Sequence, residues 1–362
     1  MKHAISTPRL ALTFAGCFLG AGYVSGRELW QFFGQYGLWG WLGLLVGMSV
    51  LAIFGALILH LARRTGQEDL STLVIPWEIP LLRRCVSVFS LLILFGVVTI
   101  MTAGAGALFH QSWGLPAGAM GLLFCLVMAV LALAGLEGMV SVFSCIVPVL
   151  TLAALGMSAA ALRFLPSTPP PHSSSGHWLF SALTFAAYNI FSTIAILAPM
   201  GRQIHPRTVR KGIPLGGGLL FLIAGTLMLA LSHCGDATAQ ELPMLLVASR
   251  LSPLLGLLYA VLLLSAMLGT ALSCFLTAVN TLRSSFPFLR KHATSTLFLL
   301  AFLSWIASLM GFGQLIGVVY PLFGCMSAFF LACMTAGLWK SHVPSRQRPA
   351  QTETSRGERY DG

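Results

Sequence analysis

Charge is what this sequence lacks. Of its 362 residues only 9% are Asp, Glu, Lys or Arg, and acids are the scarcer sign, 10 against 21 Lys and Arg. A soluble domain of this size would carry about a quarter charged residues. With 57% hydrophobic residues, nearly the whole chain must face lipid or other apolar helices, which excludes a soluble fold and makes the bilayer its main partner. Catalytic signatures are missing too: no HExxH, no GxSxG and no paired aspartates fall in the apolar runs, and no ATP-binding motif occurs. The chain therefore reads as a non-enzyme with no catalytic residue and no cofactor. The cysteines, at 17, 85, 125, 145, 234, 274, 325 and 333, form no CxxC pair and sit mostly inside apolar runs. They read as small buried hydrophobes, not as a disulfide framework or metal site.

The formal charge of +11 does not point to nucleic acid, because the basic residues fall in short clusters between apolar runs, where membrane orientation explains them. Lys2 and Arg9 before an apolar run imitate a secretory signal peptide. The downstream spans need that first helix for a consistent topology, so it is read as part of the folded protein.

With roughly twenty apolar residues per crossing, the chain divides into ten spans: about 10–33, 38–62, 84–109, 116–135, 139–163, 178–200, 212–233, 253–282, 295–312 and 316–339. The expected fold class is an all-α polytopic membrane protein. Arg63, Arg64, Arg83 and Arg84, then Arg202, Arg207, Arg210 and Lys211, then Arg283, Arg290 and Lys291, and finally Lys340 all fall on one side of a ten-span model with Lys2 and Arg9. The opposite loops Gly34–Gly37, His110–Gly114 and Gly311–Gln314 carry no Lys or Arg. By the positive-inside rule both termini are cytoplasmic. Trp30, Trp39, Trp41, Trp113 and Trp178 cluster near the outer ends and suit an interfacial belt. Residues 1–340 form the membrane domain, and the polar stretch 341–362 is expected to be a disordered cytoplasmic tail.

Five spans before the Pro/Ser-rich loop at 166–176 and five after it place the halves in opposite orientations, as in an inverted-repeat transporter. Repeat one covers about 9–163 and repeat two about 178–339. Ala11-Leu-Thr-Phe-Ala15 in span one recurs as Ala182-Leu-Thr-Phe-Ala186 in span six. Span one then carries Gly16, Gly20, Gly22 and Gly26 with Arg27 and Glu28, where a plain anchor would have neither glycine nor charge. Such a segment is expected to unwind near mid-membrane. The N–H groups near Gly22 and Tyr23 would then face an anion, and the carbonyls near Cys17 to Gly20 an ammonium or metal cation. One break would recognise both ends of a zwitterion.

In span six the polar cluster Tyr188, Asn189, Ser192 and Thr193 occupies the corresponding position. Gly20, Ala21, Gly22, Tyr23, Tyr188, Asn189 and Ser192 are the candidate solute-binding residues. Glu28, roughly 9 Å beyond Gly22 on a continuous helix, is a candidate for gating or coupling with Arg27. Thr270 and Ser273, one turn apart in span eight, are candidate hydroxyl ligands for a coupling Na⁺, with H⁺ the alternative. Small-xxx-small packing accounts for the same glycines, and backbone back-bonding for the hydroxyls.

Gly20-Ala-Gly-Tyr-Val-Ser-Gly-Arg-Glu-Leu-Trp-Gln-Phe-Phe33 resembles the first span of the YkvI-like family of bacterial membrane proteins, and Ala187-Tyr-Asn-Ile190 is similar to its span six. That family looks like a member of the amino acid–polyamine–cation superfamily with the LeuT fold. The resemblance implies five-plus-five inverted repeats, broken spans one and six, and a central site between spans one, three, six and eight. Where sodium-coupled members have two adjacent hydroxyls in span eight, this chain has Gly269-Thr270. The function implied is transport of a small amino-acid- or amine-like solute across the inner membrane by alternating access. A sensor or assembly protein that keeps the scaffold without transporting is the competing class. Neither the solute nor the oligomeric state follows from the sequence.

Overall fold

The computed structural model describes residues 6–65, 74, 79–133, 139–170, 176–201, 204–285 and 293–342. Among these the secondary structure is helical, apart from one isolated bridge between Thr168 and Cys234. Five helices are long and apolar enough to cross a membrane: Leu38–Arg64, Pro80–Trp113, Pro206–His233, Pro253–Arg283 and Phe312–Ala336. They are spans two, three, seven, eight and ten. Four shorter apolar helices, Ala117–Leu133, Pro148–Phe164, Trp178–Ile194 and Thr294–Ser308, supply spans four, five, six and nine. Span one is divided into three pieces: Thr7–Gly16, Ala21–Val24 and Arg27–Phe32.

The packing partners display the repeat. Span one runs along span seven as span six runs along span two, and span five lies on span eight as span ten lies on span three. Spans two and seven, three and eight, and four and nine pack on each other. Exchanging each span with the one five places away maps these contacts onto one another, while the six–ten and five–seven contacts have no counterpart of similar extent. Close approach at the one–seven seam depends on glycine. A β-carbon at Gly216 would stand 2.7 Å from the Ala11 carbonyl oxygen, so the seam would have to open for any larger residue.

Two further connections matter for the site. Between spans seven and eight, a 3-10 turn at Gly235–Ala239 leads into a short helix, Pro243–Leu251. Thr168, from the Pro/Ser-rich loop, pairs with it: its N–H donates to His233 O at 2.8 Å, its carbonyl accepts from Gly235 N at 2.7 Å, and its hydroxyl donates to Asp236 at 2.8 Å. Trp39 and Trp178 stack at 5.7 Å on the same face of the molecule. Trp30 departs from the belt expected of it. It is buried, because the kink after Val24 turns it inward against Gly34.

Span ten continues as helix to His342, two residues into the stretch read as tail. The expected disordered segment from 343 onward lies outside the described residues, as do Arg202, Arg290, Lys291 and Glu137.

Candidate functional site

Span one unwinds where its glycines predict. After Gly16 the chain leaves the helix through Cys17 and Phe18, and Gly20 is extended at φ −88°, ψ 174° before the turn Ala21–Val24 begins. A β-carbon at Gly20 would meet nothing within 4 Å, and the same holds for Gly16. Open space therefore lies beside the break on the side of the N-terminal segment.

A second interruption follows that the glycine count alone does not locate. Ser25 and Gly26 separate Val24 from the next helix, and Gly26 takes φ +81°, a left-handed angle that costs other L-residues roughly 1–2 kcal/mol. Ser25 stabilises this corner, donating its hydroxyl to Gly22 O at 2.8 Å and accepting from Arg27 N at 3.3 Å. Two long-range bonds pin the same turn. Tyr23 donates to Leu220 O of span seven at 3.0 Å, and Tyr259 of span eight to Val24 O at 2.6 Å.

The corner changes where Glu28 goes. On a continuous helix it would sit one to two turns outward of Gly22. Instead the left-handed residue redirects the chain and the side chain folds back: a β-carbon at Gly22 would stand 2.8 Å from Glu28 Oε2 and 4.0 Å from the Tyr320 hydroxyl. Glu28 is therefore part of the break, and the expected spacing between the glycines and the charge is corrected. It is only 6% exposed. Asn189 of span six faces the same carboxylate. Among the described residues, no Lys, Arg or His makes an ion pair with Glu28; the ion pair there joins Arg250 and Asp236.

Arg27 points elsewhere. Its guanidinium donates to Thr238 O at 3.2 Å and to Gln240 O at 3.3 Å, both on the connection between spans seven and eight. Ser25 O accepts from Met244 N at 3.0 Å, so span one holds this connection at two points. Gln111 of span three holds it at a third, through a reciprocal pair with Leu242: the amide donates to Leu242 O at 3.0 Å and accepts from Leu242 N at 3.2 Å. A cavity of about 470 Å³ opens beside this cap, lined by Arg27, Trp30, Gln31, Gln35, Thr168 and Asp236 among others. Asp236 lies in the connection, outside the spans, and the Arg250 guanidinium beside it holds its carboxyl down at about 2.

Span six contradicts one expectation. Trp178–Met200 is helical throughout, so the second break is absent in this conformation. The polar side chains that mimic a break instead bond back to their own helix. Asn189 donates to Phe185 O at 2.9 Å, Ser192 to Asn189 O at 2.9 Å, and Thr193 to Asn189 O at 2.7 Å. No glycine occurs between Trp178 and Met200 to release the backbone. Asn189 reaches Glu28 at the span-one break, and Tyr188 meets span one at Phe32. Ser192 is exposed and does not join them.

Four rings, Phe32, Phe185, Tyr188 and Tyr320, pack on one another, and Tyr320 brings the cluster to the carboxylate. Tyr188 lies 5.9 Å from Phe32 and 5.7 Å from Phe185, and it stacks on Tyr320 at 4.5 Å with planes 21° apart. Its hydroxyl is buried without a hydrogen-bond partner. Tyr320 is the site residue that sequence reasoning missed. A cue was present, since Tyr320-Pro321 places a phenol and a helix-weakening proline in the middle of an apolar span.

In span eight the expected hydroxyl ligands do not gather at the break. Thr270 is half-buried, whereas Ser273 is exposed and shares its face with exposed Thr277 and Asn280, one turn apart in succession. What span eight brings to span one is Tyr259. Among the described residues, no group of three or more His, Cys, Asp or Glu side chains is placed to hold a metal ion.

No family model matches the chain. Two proteins of Bacillus subtilis (strain 168) are similar along nearly the whole of it. The membrane protein YkvI is 27% identical over 334 residues, 91% of this chain and 95% of the relative. The protein YyaD is 27% identical over 342 residues, 89% of this chain and 94% of the relative. Among solved structures, the architecture is similar to MHP1, a nucleobase-cation-symport-1 family transporter, in a closed conformation with bromovinylhydantoin bound. That likeness has a TM-score of 0.58 at 13% identity, covering 92% of this chain and 78% of the other. It is also similar to a manganese transporter of Eremococcus coleocola in complex with an aromatic bis-isothiourea substituted compound, with a TM-score of 0.55 at 13% identity over 91% of this chain and 78% of the other. The chain is a membrane protein that resembles YkvI along nearly its whole length and has the LeuT-type fold.

Proposed function

We infer that the protein is a secondary transporter of a small amino-acid- or amine-like solute, working by alternating access around the break in span one. The observation that carries this reading is the buried Glu28 carboxylate packed against Gly22 inside an unwound span. An intramembrane ionisable residue is costly to keep, and one at a helix break is best explained by a passing ligand or ion. The similar solved structures are transporters, which supports the same conclusion.

The arrangement gives the two sides of the site different roles. On one side the connection between spans seven and eight is fastened to Ser25, Arg27 and Gln111 and closes the path. On the other, open space lies beside Gly16 and Gly20. With the basic clusters cytoplasmic, the fastened side is external, both termini are internal, and the protein lies in a bacterial inner membrane. Outward opening would break the bonds from Arg27 and Ser25 and close the space beside Gly20.

Any driving force is an ion gradient. Exposure of Ser273 weighs against a sodium site built from Thr270 and Ser273, which leaves Glu28 as the group for coupling to H⁺. Gly20, Ala21, Gly22, Tyr188 and Asn189 contact the solute in this reading, and Tyr23 holds the break in place through Leu220.

The test is uptake by purified protein reconstituted into liposomes, with amino acids and amines as solutes, with and without Na⁺ or a pH gradient. Saturable uptake that Gly22→Leu abolishes in a folded, inserted protein is the expected result. Ligand-induced thermal stabilisation without uptake would favour a sensor on the same scaffold.

A further inference from the structure

The geometry points to a protonated amine that carries no carboxylate of its own as the solute class. This rests on the transport reading above and narrows it.

The first ground is steric and electrostatic together. A zwitterion bound at the break needs room for its carboxylate near Gly22 and Tyr23. The chain's own carboxylate already lies beside that place, since Glu28 Oε2 would stand 2.8 Å from a β-carbon at Gly22. With Glu28 ionised, a second carboxylate close to it would meet like charge in a low-dielectric setting, where repulsion is strongest. The opposite charge is welcome for the same reason.

The second ground is the missing counter-charge. Glu28 is 6% exposed, and among the described residues no cationic side chain pairs with it. Arg27, its neighbour in the chain, directs its guanidinium to Thr238 and Gln240 instead. A carboxylate removed from water is strongly destabilising unless it takes up a proton or a positive charge comes with it. The site is thus built for a cation to arrive from outside the protein.

The third ground decides between an ammonium and a metal ion. An ammonium presents three N–H donors. Near Glu28 stand the Tyr320 hydroxyl, 4.0 Å from a β-carbon at Gly22, and Asn189, whose side chain bonds the carboxylate and also donates to Phe185 O. No second carboxylate, histidine or cysteine completes a metal-binding group among the described residues. The packed cluster of Phe32, Phe185, Tyr188 and Tyr320, reached through Tyr320, supplies the apolar surface against which the body of an organic cation packs.

Three probes share one body and differ only in charge: phenethylamine, phenylalanine and 3-phenylpropionate. Their effect on the melting temperature of the full-length protein in detergent is measured at pH 7 in potassium chloride, alongside methylammonium and putrescine, and compared with Glu28→Gln. One or more of the carboxylate-free amines should stabilise the wild type, phenylalanine and phenylpropionate should not, and Glu28→Gln should lose at least tenfold in apparent amine affinity while eluting as a monodisperse peak. Equal or greater stabilisation by phenylalanine or phenylpropionate overturns the inference, as does an amine effect that survives in Glu28→Gln or no amine effect at all. Liposome uptake separates the two readings. Uptake of phenylalanine but of no amine sinks the solute class and leaves transport standing, whereas amine binding without uptake of any bound amine sinks transport and leaves the cation site.

Discussion

Tyr188 of span six stacks on Tyr320 of span ten with ring centroids 4.5 Å apart and planes 21° from parallel. The two rings join helices from the second repeat over the break made by the first, and the Tyr320 hydroxyl reaches towards Gly22. Removing the ring and removing only its hydroxyl should therefore separate structure from recognition. Tyr320→Ala should lower stability by about 3–5 kcal/mol, as for other large aromatic truncations in a packed interior. Tyr320→Phe should stay within about 1 kcal/mol of the wild type, yet bind solute more weakly. Melting curves in detergent, with and without a bound solute, check both.

The close approach of Glu28 to Gly22 makes a size-dependent prediction. Gly22→Ala places a methyl group 2.8 Å from Glu28 Oε2, so the carboxylate must move. Solute-induced stabilisation should fall by an order of magnitude or more. Adding Glu28→Asp, which shortens the side chain by one methylene, should restore part of it. Wild-type binding by Gly22→Ala would show that the contact has no part in recognition.

Why Glu28 could not be placed from sequence is a question of one dihedral angle. The glycines at 20 and 22 announced an unwound segment, and the chain unwinds there, because only that stretch combines glycine with intramembrane charge. Gly26 looked like one more small residue in the same series. Its φ of +81° follows from tertiary contacts, with Ser25 held by Met244 and Tyr259 bonded to Val24. Span six failed in the opposite direction. Its Asn, Ser and Thr residues were readable as polar, but whether a hydroxyl serves a ligand or its own helix depends on the rotamer it adopts. Tyr320 was hidden by distance, since apolar spans carry almost no periodic signal to say which face meets which neighbour.

Gly26 should be among the least replaceable residues of span one. An alanine there adopts a left-handed angle at about 1–2 kcal/mol. Its β-carbon would also lie 2.9 Å from Leu231 Cδ1 and 3.0 Å from Met244 Cγ. Gly26→Ala should melt several degrees lower than the wild type and lose solute binding, because Glu28 follows the corner. Gly16→Ala, with nothing within 4 Å of the added carbon, should be neutral within about 0.5 kcal/mol. Parallel melting curves of the two variants make the comparison.

The ion pair between Asp236 and Arg250 gives a pH dependence with a definite sign. Its aspartate is held down at about 2 by the Arg250 guanidinium, below the roughly 3.9 of an unfolded chain. The stabilisation is therefore fully present above about pH 4 and is lost as pH falls towards about 2. Both side chains are 39% exposed, so solvent screening limits the pair to about 1 kcal/mol or less. Asp236→Asn should melt slightly lower than the wild type by a constant amount between pH 5 and 8. That difference should shrink below pH 4, and a constant gap down to pH 2.5 would show that the pair contributes nothing.

Arg27 should behave as a fastener of the cap and not as part of the cation site. One guanidinium nitrogen, Nη1, donates to both Thr238 O and Gln240 O, and the planar group fixes that nitrogen where a lysine ammonium on a flexible stem does not. Hydrogen exchange of residues 235–242 should rise in Arg27→Gln and rise less in Arg27→Lys, since the lysine can still reach one carbonyl. Melting temperature should change little, because Ser25 O and Gln111 continue to hold Met244 and Leu242. Amine-induced stabilisation should persist, since Arg27 points away from Glu28. Faster exchange in the cap with unchanged amine affinity would separate the outer fastening from the site beneath it, whereas loss of affinity in Arg27→Lys would make the cap and the carboxylate one unit.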